Sequence, residues 1–286
     1  MKYQMIAKQR KVFPVKTLCK VFDVPPTSFY DSQKRPEGPR AKSEKVILEE
    51  IKVVHKECKQ RYGSPRIYEE LKVRGIDCSE NRVARIMSDN EIKAVFKKQF
   101  RITTDSKHNN MISPNLLERD FSAEAPNQKW VSDITYIRTL EGWLYLCVII
   151  DLFSRKVVGW SMDSHLKASL VTDAFMMAVI NRQPPKGFIF HSDRGVQYTS
   201  NEFRNFLELY GAKQSMSGKG DCWDNACAES FFGTLKREEV YRENYKTRTE
   251  AKRKVFEYIE TFYNLVRRHS TIGNKSPVQF EIKYIS

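Results

Sequence analysis

The chain has 286 residues, room for two domains of the usual ~100–200 residues. Its 49 Lys and Arg against 35 Asp and Glu give a formal charge of +14, and 41% hydrophobic residues exclude a chain left disordered for want of a core. The longest apolar run, Trp143 to Ile150, has 8 residues where a membrane-spanning helix needs ~20, and the first ten residues lack the apolar stretch of a secretion signal. The expectation is a folded, basic, cytoplasmic protein with no membrane partner. Cys19, Cys58, Cys78, Cys147, Cys222 and Cys227 stand singly, so neither a disulfide framework nor a zinc finger is indicated.

The charge is uneven. Residues 1–120 hold 26 Lys and Arg against 16 Asp and Glu, and residues 121–286 hold 23 against 19. A basic region joined to a nearly balanced one suits a nucleic-acid grip attached to a better-packed unit, although a solubilising surface would read the same way.

The N-terminal region, 1–96, reads as short helices separated by tight turns. Val15, Leu18, Cys19 and Phe22 fall at helical spacing before Asp23-Val-Pro-Pro-Thr-Ser28 breaks the pattern. In a second pair, Ser64 is the expected N-cap ahead of Pro65, Ile67 and Leu71 line one face, and Gly75 closes the helix. Ser79 then caps a helix with Val83, Ile86 and Met87 inward and Arg82 and Arg85 outward. Two helices around a glycine turn fit a helix-turn-helix, whose second helix enters a major groove, and equally a plain helical hairpin. Residues 97–128 lose periodicity and read as a basic linker. Its Lys97, Lys98, Arg101, Lys107 and Arg119 suit contact with a DNA backbone.

From residue 129 the pattern changes to strands: Trp130 to Ile137, Trp143 to Ile150 and Lys156 to Met162, an antiparallel meander. A helix around Leu170 to Val179, a strand Phe188 to His191, a helix around Phe203 to Tyr210, a strand Lys213 to Met216 and a helix from about Asp224 to Glu239 follow. The order βββαβαβα predicts an α/β fold, a mixed five-stranded sheet with flanking helices, where sites collect at strand ends.

Three carboxylates fall at such places: Asp133 in the first strand, Asp193 directly after the fourth, and Glu229 in the last helix. An Asp within a central strand needs compensation, by a cation from the protein or by a divalent metal. A structural ion pair is the ordinary alternative for any one of them. Asn225, Glu229 and Lys236 would lie within ~40° on one helix face, with Ala228, Phe231, Phe232 and Leu235 on the apolar side. His191 is expected to pack or orient, Asp151 to begin the turn to Arg155, and Asp221 and Asp224 to cap loop and helix.

The segments Trp130-Val-Ser-Asp-Ile-Thr-Tyr136, His191-Ser-Asp-Arg-Gly-Val-Gln-Tyr198 and Asp224-Asn-Ala-Cys-Ala-Glu-Ser-Phe-Phe-Gly-Thr-Leu-Lys236 resemble the catalytic signatures of insertion-sequence transposases with a retroviral-integrase-like core. Asp193 and Glu229 enclose 35 residues and Lys236 follows Glu229 by seven, matching that family's spacing. Tyr263-Asn-Leu-Val-Arg-Arg-His-Ser270 and Gly273-Asn-Lys-Ser-Pro-Val-Gln-Phe280 resemble its terminal motif. The resemblance covers nearly the whole chain and points to the second-reading-frame (OrfB) proteins of the insertion-sequence-three family. It implies an RNase H-like catalytic domain over 129–286, with a C-terminal helical extension, and a DNA transposase with polynucleotidyl transferase activity. Asp133, Asp193 and Glu229 would bind two Mg²⁺, with Mn²⁺ as a substitute. Lys236, Asn225, Arg82, Arg85, Lys97 and Lys98 are the implied DNA contacts. Expected partners are double-stranded DNA, further copies of this chain on DNA, and the upstream reading-frame protein, since no Leu heptads for a zipper occur here. The competing readings are a binding-only regulator of element ends and an RNase H-type nuclease.

Overall fold

The computed structural model describes residues 2–34, 38–95, 112–218 and 222–285, and the chain divides into two compact units, Met1–Lys93 and Ala94–Ser286. Lys97 and Lys98 lie outside the described residues.

The first unit is helical: α1 (Lys2–Gln9), α2 (Val15–Val21), α3 (Pro26–Lys34), α4 (Pro39–Glu57), α5 (Ser64–Val73) and α6 (Glu80–Asp89). Leu18 and Cys19 of α2, at the spacing that predicts a helix there, are buried with Phe29 of α3 and Ile6 of α1, and α2 and α3 pack together. The break is shorter than expected because Pro26 opens α3, a position where a fixed φ and a missing N–H cost nothing. Ser64 is not the cap of α5. Gly63 occupies that place, and Ser64 is already helical. Gly75 does close the helix, at φ +75°, a left-handed conformation that glycine adopts without strain. Ser79 caps α6, its hydroxyl accepting from Arg82 N–H at 3.3 Å. Val83, Ile86 and Met87 of α6 are buried, as are Ile47, Ile51 and Val54 of α4 and Ile67 and Leu71 of α5; these three helices pack together.

The second unit is built on strands β1 (Lys129–Thr139), β2 (Gly142–Asp151), β3 (Val157–Asp163), β4 (Ile189–Ser192) and β5 (Lys213–Met216), with α7 (Ala168–Arg182) and α8 (Asn201–Leu209) between them. The sheet order is β3-β2-β1-β4-β5. β1, β2 and β3 are antiparallel neighbours, and β4 and β5 run parallel to β1. Trp130, Cys147 and Ile149 face a core shared with Phe175 of α7 and Phe203 of α8. Gly159 lets α7 approach β3 closely, since a Cβ there would stand 2.3 Å from the Ala174 carbonyl. A 3₁₀ turn, Cys222–Asn225, leads into α9 (Ala226–Glu238), which packs on β1 and β2, followed by α10 (Arg248–Glu257), a π-helical stretch Tyr258–Tyr263 and α11 (Pro277–Ile285).

The stretch read as linker is bonded into this unit from residue 112 onward. Met216 N–H donates to the Pro114 carbonyl at 3.3 Å, Leu116 N–H to Ser215 Oγ at 2.8 Å, and Leu117 is buried.

The C-terminal motif braces α9 and β3. Asn264 accepts from Val157 N–H and donates to its carbonyl, both at 3.0 Å, taking the place of a strand neighbour. Arg267 grips Glu238, at the end of α9, with Nη2 at 2.9 Å and Nε at 3.0 Å, and Tyr258 Oη donates to the same carboxylate at 2.9 Å. Removing one partner of such a buried pair strands the other, at a cost of ~3–5 kcal/mol. Arg267→Ala is expected to lower urea-unfolding stability by about that much, whereas Arg267→Met with Glu238→Leu should lose far less; equal losses would remove the pair from this role.

Candidate active site

β1 and β4 pair in parallel at Lys129↔Ile189, Trp130↔Phe190 and Val131↔His191, and there the ladder ends. Asp133 and Asp193 are each two residues beyond the last pair, so the register sets them level across the point where the strands part. β1 continues to Thr139 alongside β2, and Asn225 Nδ2 donates to the Ser132 carbonyl at 3.2 Å, fastening the start of α9 to this stretch.

Asp133 shares its sheet face with Val131 and Thr135 by strand alternation. Burial pushes its carboxyl well above the ordinary carboxylate range; the charges of Asp193 and Glu229 push the same way, while the Ile134 N–H bond at 2.7 Å and Lys236 oppose them. Beneath the strand, Ser132 Oγ donates to the Val148 carbonyl and lies 2.9 Å from the Tyr198 hydroxyl. Asp193 Oδ1 accepts from Gly195 N–H at 2.9 Å, shaping the turn after β4. Glu229 is exposed in the first turn of α9, and partial burial raises its carboxyl. Lys236 is half-buried; burial lowers its ammonium and Asp133 counteracts that. Its Nζ stands 5.2 Å from the Tyr136 ring centroid, an arrangement in which the ring face attracts the cation.

The apolar side of α9 is as expected, with Ala228, Phe231, Phe232 and Leu235 buried. The polar stripe is not. Asn225 precedes the helix as its N-cap residue and is buried, because the backbone first makes the 3₁₀ turn. Asp224 does not cap α9 either. Buried, it accepts from Gly218 N–H at 2.8 Å, Asn115 Nδ2 at 3.0 Å and Arg119 Nε at 3.0 Å, tying the chain before β1 to the loop before α9. Asp221 lies outside the described residues.

Asp151 does begin its turn, its carbonyl accepting from Arg155 N–H at 2.8 Å and Oδ1 from Phe153 N–H at 2.9 Å. Arg182 lies 3.4 Å from Oδ2 and bridges onward to Glu281 at 2.7 Å. His191 is fully buried, with Nδ1 2.8 Å from Ser215 Oγ, and burial lowers its imidazole to about 4. Sequence reasoning missed the Arg182–Glu281 and Glu238–Arg267 pairs, whose partners lie 99 and 29 residues apart with no periodicity to link them.

In the first unit, Arg82 Nη2 donates to Ser43 Oγ of α4 at 3.2 Å, and Arg85 pairs with Glu44 and with Asp89.

Carboxylate oxygens suit a hard divalent cation better than a soft one, and the repulsion that Asp193 and Glu229 exert on Asp133 is what such a cation would relieve. Among the described residues no three His, Cys, Asp or Glu side chains are drawn together as a ready metal cluster. The fit therefore lies in the donor chemistry and the aspartate pairing, with Glu229 on the rim. Because Asp133 titrates higher in the folded protein than in the unfolded chain, it costs no stability at low pH; the destabilisation sets in as pH rises past the ordinary carboxylate range and is complete once the folded-state titration has been passed. At neutral pH without metal, Asp133→Asn should raise the melting temperature, and added Mg²⁺ should stabilise the wild type more than the variant. A melting temperature unchanged or lowered by the substitution in EDTA would contradict the repulsion.

Three family descriptions match the chain: "HTH-like domain" over residues 42–100, "Integrase core domain" over 123–222, and a second "Integrase core domain" over 229–285. "Transposase InsF for insertion sequence IS3A" of Escherichia coli (strain K12) is 41% identical, with all of both chains covered. "Insertion element IS600 uncharacterized 31 kDa protein" of Shigella sonnei is 42% identical over 93% of this chain and 98% of its own. The solved HTLV-2 integrase catalytic core domain in complex with magnesium (dimeric form) is 20% identical, covering 55% of this chain and 98% of that one, with a TM-score of 0.43.

Proposed function

The chain belongs to the transposases of the IS3 insertion-sequence family, and we propose that Asp133, Asp193 and Glu229 are the residues with which it cuts and joins DNA. The reading is carried by the two aspartates standing level where β1 and β4 part, with Asp133 under the charges of Asp193 and Glu229.

The three carboxylates would hold divalent metal, Mg²⁺ or Mn²⁺; two such ions supply activation of an attacking oxygen and stabilisation of a leaving one. The protein's own part is positional. β1 and the turn after β4 fix the aspartates, and α9 brings Glu229 from the rim, anchored by Asn225 on Ser132 and by Glu238 on Arg267. Lys236 offers a point charge to a phosphate beside Asp133. Asn225, being buried, positions α9 and does not contact DNA. Water opens a phosphodiester at an element end, releasing a 3′ hydroxyl; that hydroxyl then attacks a second phosphodiester, and no bond forms between protein and DNA.

The helix-turn-helix of α5 and α6 is the DNA grip. Arg85 reaches a phosphate once it leaves Glu44 of α4 and Asp89 of α6, an inexpensive step because exposed ion pairs contribute little, and Arg82 once it gives up its hydrogen bond to Ser43. Lys97 and Lys98, outside the described residues, are further proposed phosphate contacts by their charge. Two element ends must meet, so the chain acts as an oligomer on DNA, with the upstream reading-frame protein as fusion or partner.

The test is DNA spanning the flanks of the chain's own gene, incubated with wild type or folded Glu229→Gln, in Mg²⁺ or EDTA, with mapping of 3′ ends and joints. Metal-dependent cuts and joints lost by at least a hundredfold in the variant are expected, a range ordinary for losing a group that stabilises reacting charge. Cuts undiminished by Glu229→Gln would overturn the assignment.

A further inference from the structure

The grip proposed at α5 and α6 leaves α1, α2 and α3 without a role, yet these helices have a core of their own. Ile6, Leu18, Cys19 and Phe29 are buried together, with Phe22 and Val24 packed against them. The passage from α2 to α3 takes only Phe22 to Pro25, and its backbone is closed by a specific motif. Asp23 is left-handed, at φ +50°, a region that Asp enters more readily than most side chains. Its N–H donates to the Lys20 carbonyl at 3.3 Å, and Val24 N–H reaches back to the Cys19 carbonyl at 2.9 Å. These are the paired bonds of a Schellman cap. The cap ends α2, reverses the chain and returns Val24 to the core, and Pro26 then starts α3. Asp23 stands where the short turn of a helix-turn-helix often has glycine, and in that motif the second helix lies in a major groove while the first crosses the backbone.

What α3 shows to solvent suits that role. With Phe29 facing the core, Thr27, Tyr30 and Asp31 lie on the opposite side of the helix, within ~100° of one another, and all three are exposed. Thr27 has a hydroxyl and a methyl group for base edges, and the Asp31 carboxylate can accept from a cytosine amino group. On α2, Lys16 and Lys20 are one turn apart, on the side away from buried Leu18 and Cys19, and exposed. Residues 1–34 hold 7 Lys and Arg against 2 Asp and no Glu, a balance that favours a polyanion over an acidic or neutral partner. The exposed apolar side chains Met5, Val12, Phe13 and Val21 belong to α1, the turn after it and the end of α2, and not to the outer face of α3.

We propose that α1–α3 is a second reader of double-stranded DNA. α3 lies in a major groove with Thr27 and Asp31 against base edges and Tyr30 on the backbone, while Lys16 and Lys20 hold phosphates. The proposal rests on the reading of this chain as one that grips DNA, and adds a site separate from α5 and α6. Two blocks of base pairs at one element end are then read by one chain, each block adding its own discrimination.

The test uses the full chain in EDTA on a duplex spanning the flanks of its own gene and on an unrelated duplex of equal length. Hydroxyl-radical footprints, base substitutions along the flank and Kd as a function of salt are measured. Wild type should prefer the flank and protect two blocks. Thr27→Ala with Asp31→Ala should weaken flank binding by roughly tenfold, the scale of one lost base contact, and lose one block, with unrelated DNA bound as before. Lys16→Ala with Lys20→Ala should weaken both duplexes and lower the slope of log Kd against log salt by about 2. Arg85→Ala should affect the other block only. These side chains are exposed, and unchanged melting temperatures will show that the variants are folded. A wild type without preference for the flank would overturn the proposal. So would an α3 variant that keeps flank affinity and both blocks, as a protein-binding surface would, or one that weakens both duplexes equally, or a salt slope untouched by the lysine substitutions. If Arg85→Ala erases every block and the α3 variant none, this proposal fails and the α5–α6 grip stands. If the α3 variant loses its block and Arg85→Ala changes nothing, the α5–α6 grip fails and this proposal stands. A wild type that binds neither duplex sinks both.

Discussion

The parallel ladder between β1 and β4 is short, and its length fixes where Asp133 and Asp193 stand. Pairing stops at Val131 and His191, so the backbone is fully committed up to those residues and then released on one side. Asp133 and Asp193 stand two residues past the last pair, level with each other and outside the β1–β4 backbone hydrogen bonding. A longer ladder would close the gap with main-chain bonds. A shorter one would let the two acids drift apart, since β4 has only four residues with which to hold its place.

The third acid depends on a different kind of support. Glu229 rides on α9, which is outside the sheet and is held at both ends by side chains. Asn225 ties the start to β1, and the Glu238–Arg267–Tyr258 cluster ties the end to the C-terminal segment. Asp224, through Asn115 and Arg119, links the loop before α9 to the stretch preceding β1. The C-terminal motif is accordingly a brace: Asn264 completes the edge of β3, and Arg267 neutralises a glutamate that would otherwise be buried alone.

Much of this was legible in the sequence. The apolar run from Trp143 to Ile150 marks a strand, buried on both faces from Leu146 onward, and the residues around it alternate or repeat at spacings that physical periodicity assigns to one element type. Ser79 announced its helix because capping is a local interaction. Ser64 misled for the same reason: a serine before a proline is a good cap in isolation, but Gly63 already supplied the extended backbone. Asn225 was placed on a helix face because spacing alone cannot reveal that the first turn is 3₁₀. The three acids are candidates that motifs single out; that two of them are level could not be read, because it follows from a register between segments 60 residues apart. The contacts of Arg248 with Glu141 and Trp143 at the β1–β2 turn were invisible for the same reason, its partners lying over 100 residues away.

The central claim is that Asp133 and Asp193 form one site and not two neighbouring acids. Calorimetric titration of Mn²⁺ into wild type, Asp133→Asn, Asp193→Asn and the double variant, each checked for folding, tests it most directly. Sites in contact give non-additive losses. The account predicts that either single substitution removes most of the binding and that the second adds little. Losses that add as independent contributions, or a binding isotherm untouched by one of the substitutions, would contradict it.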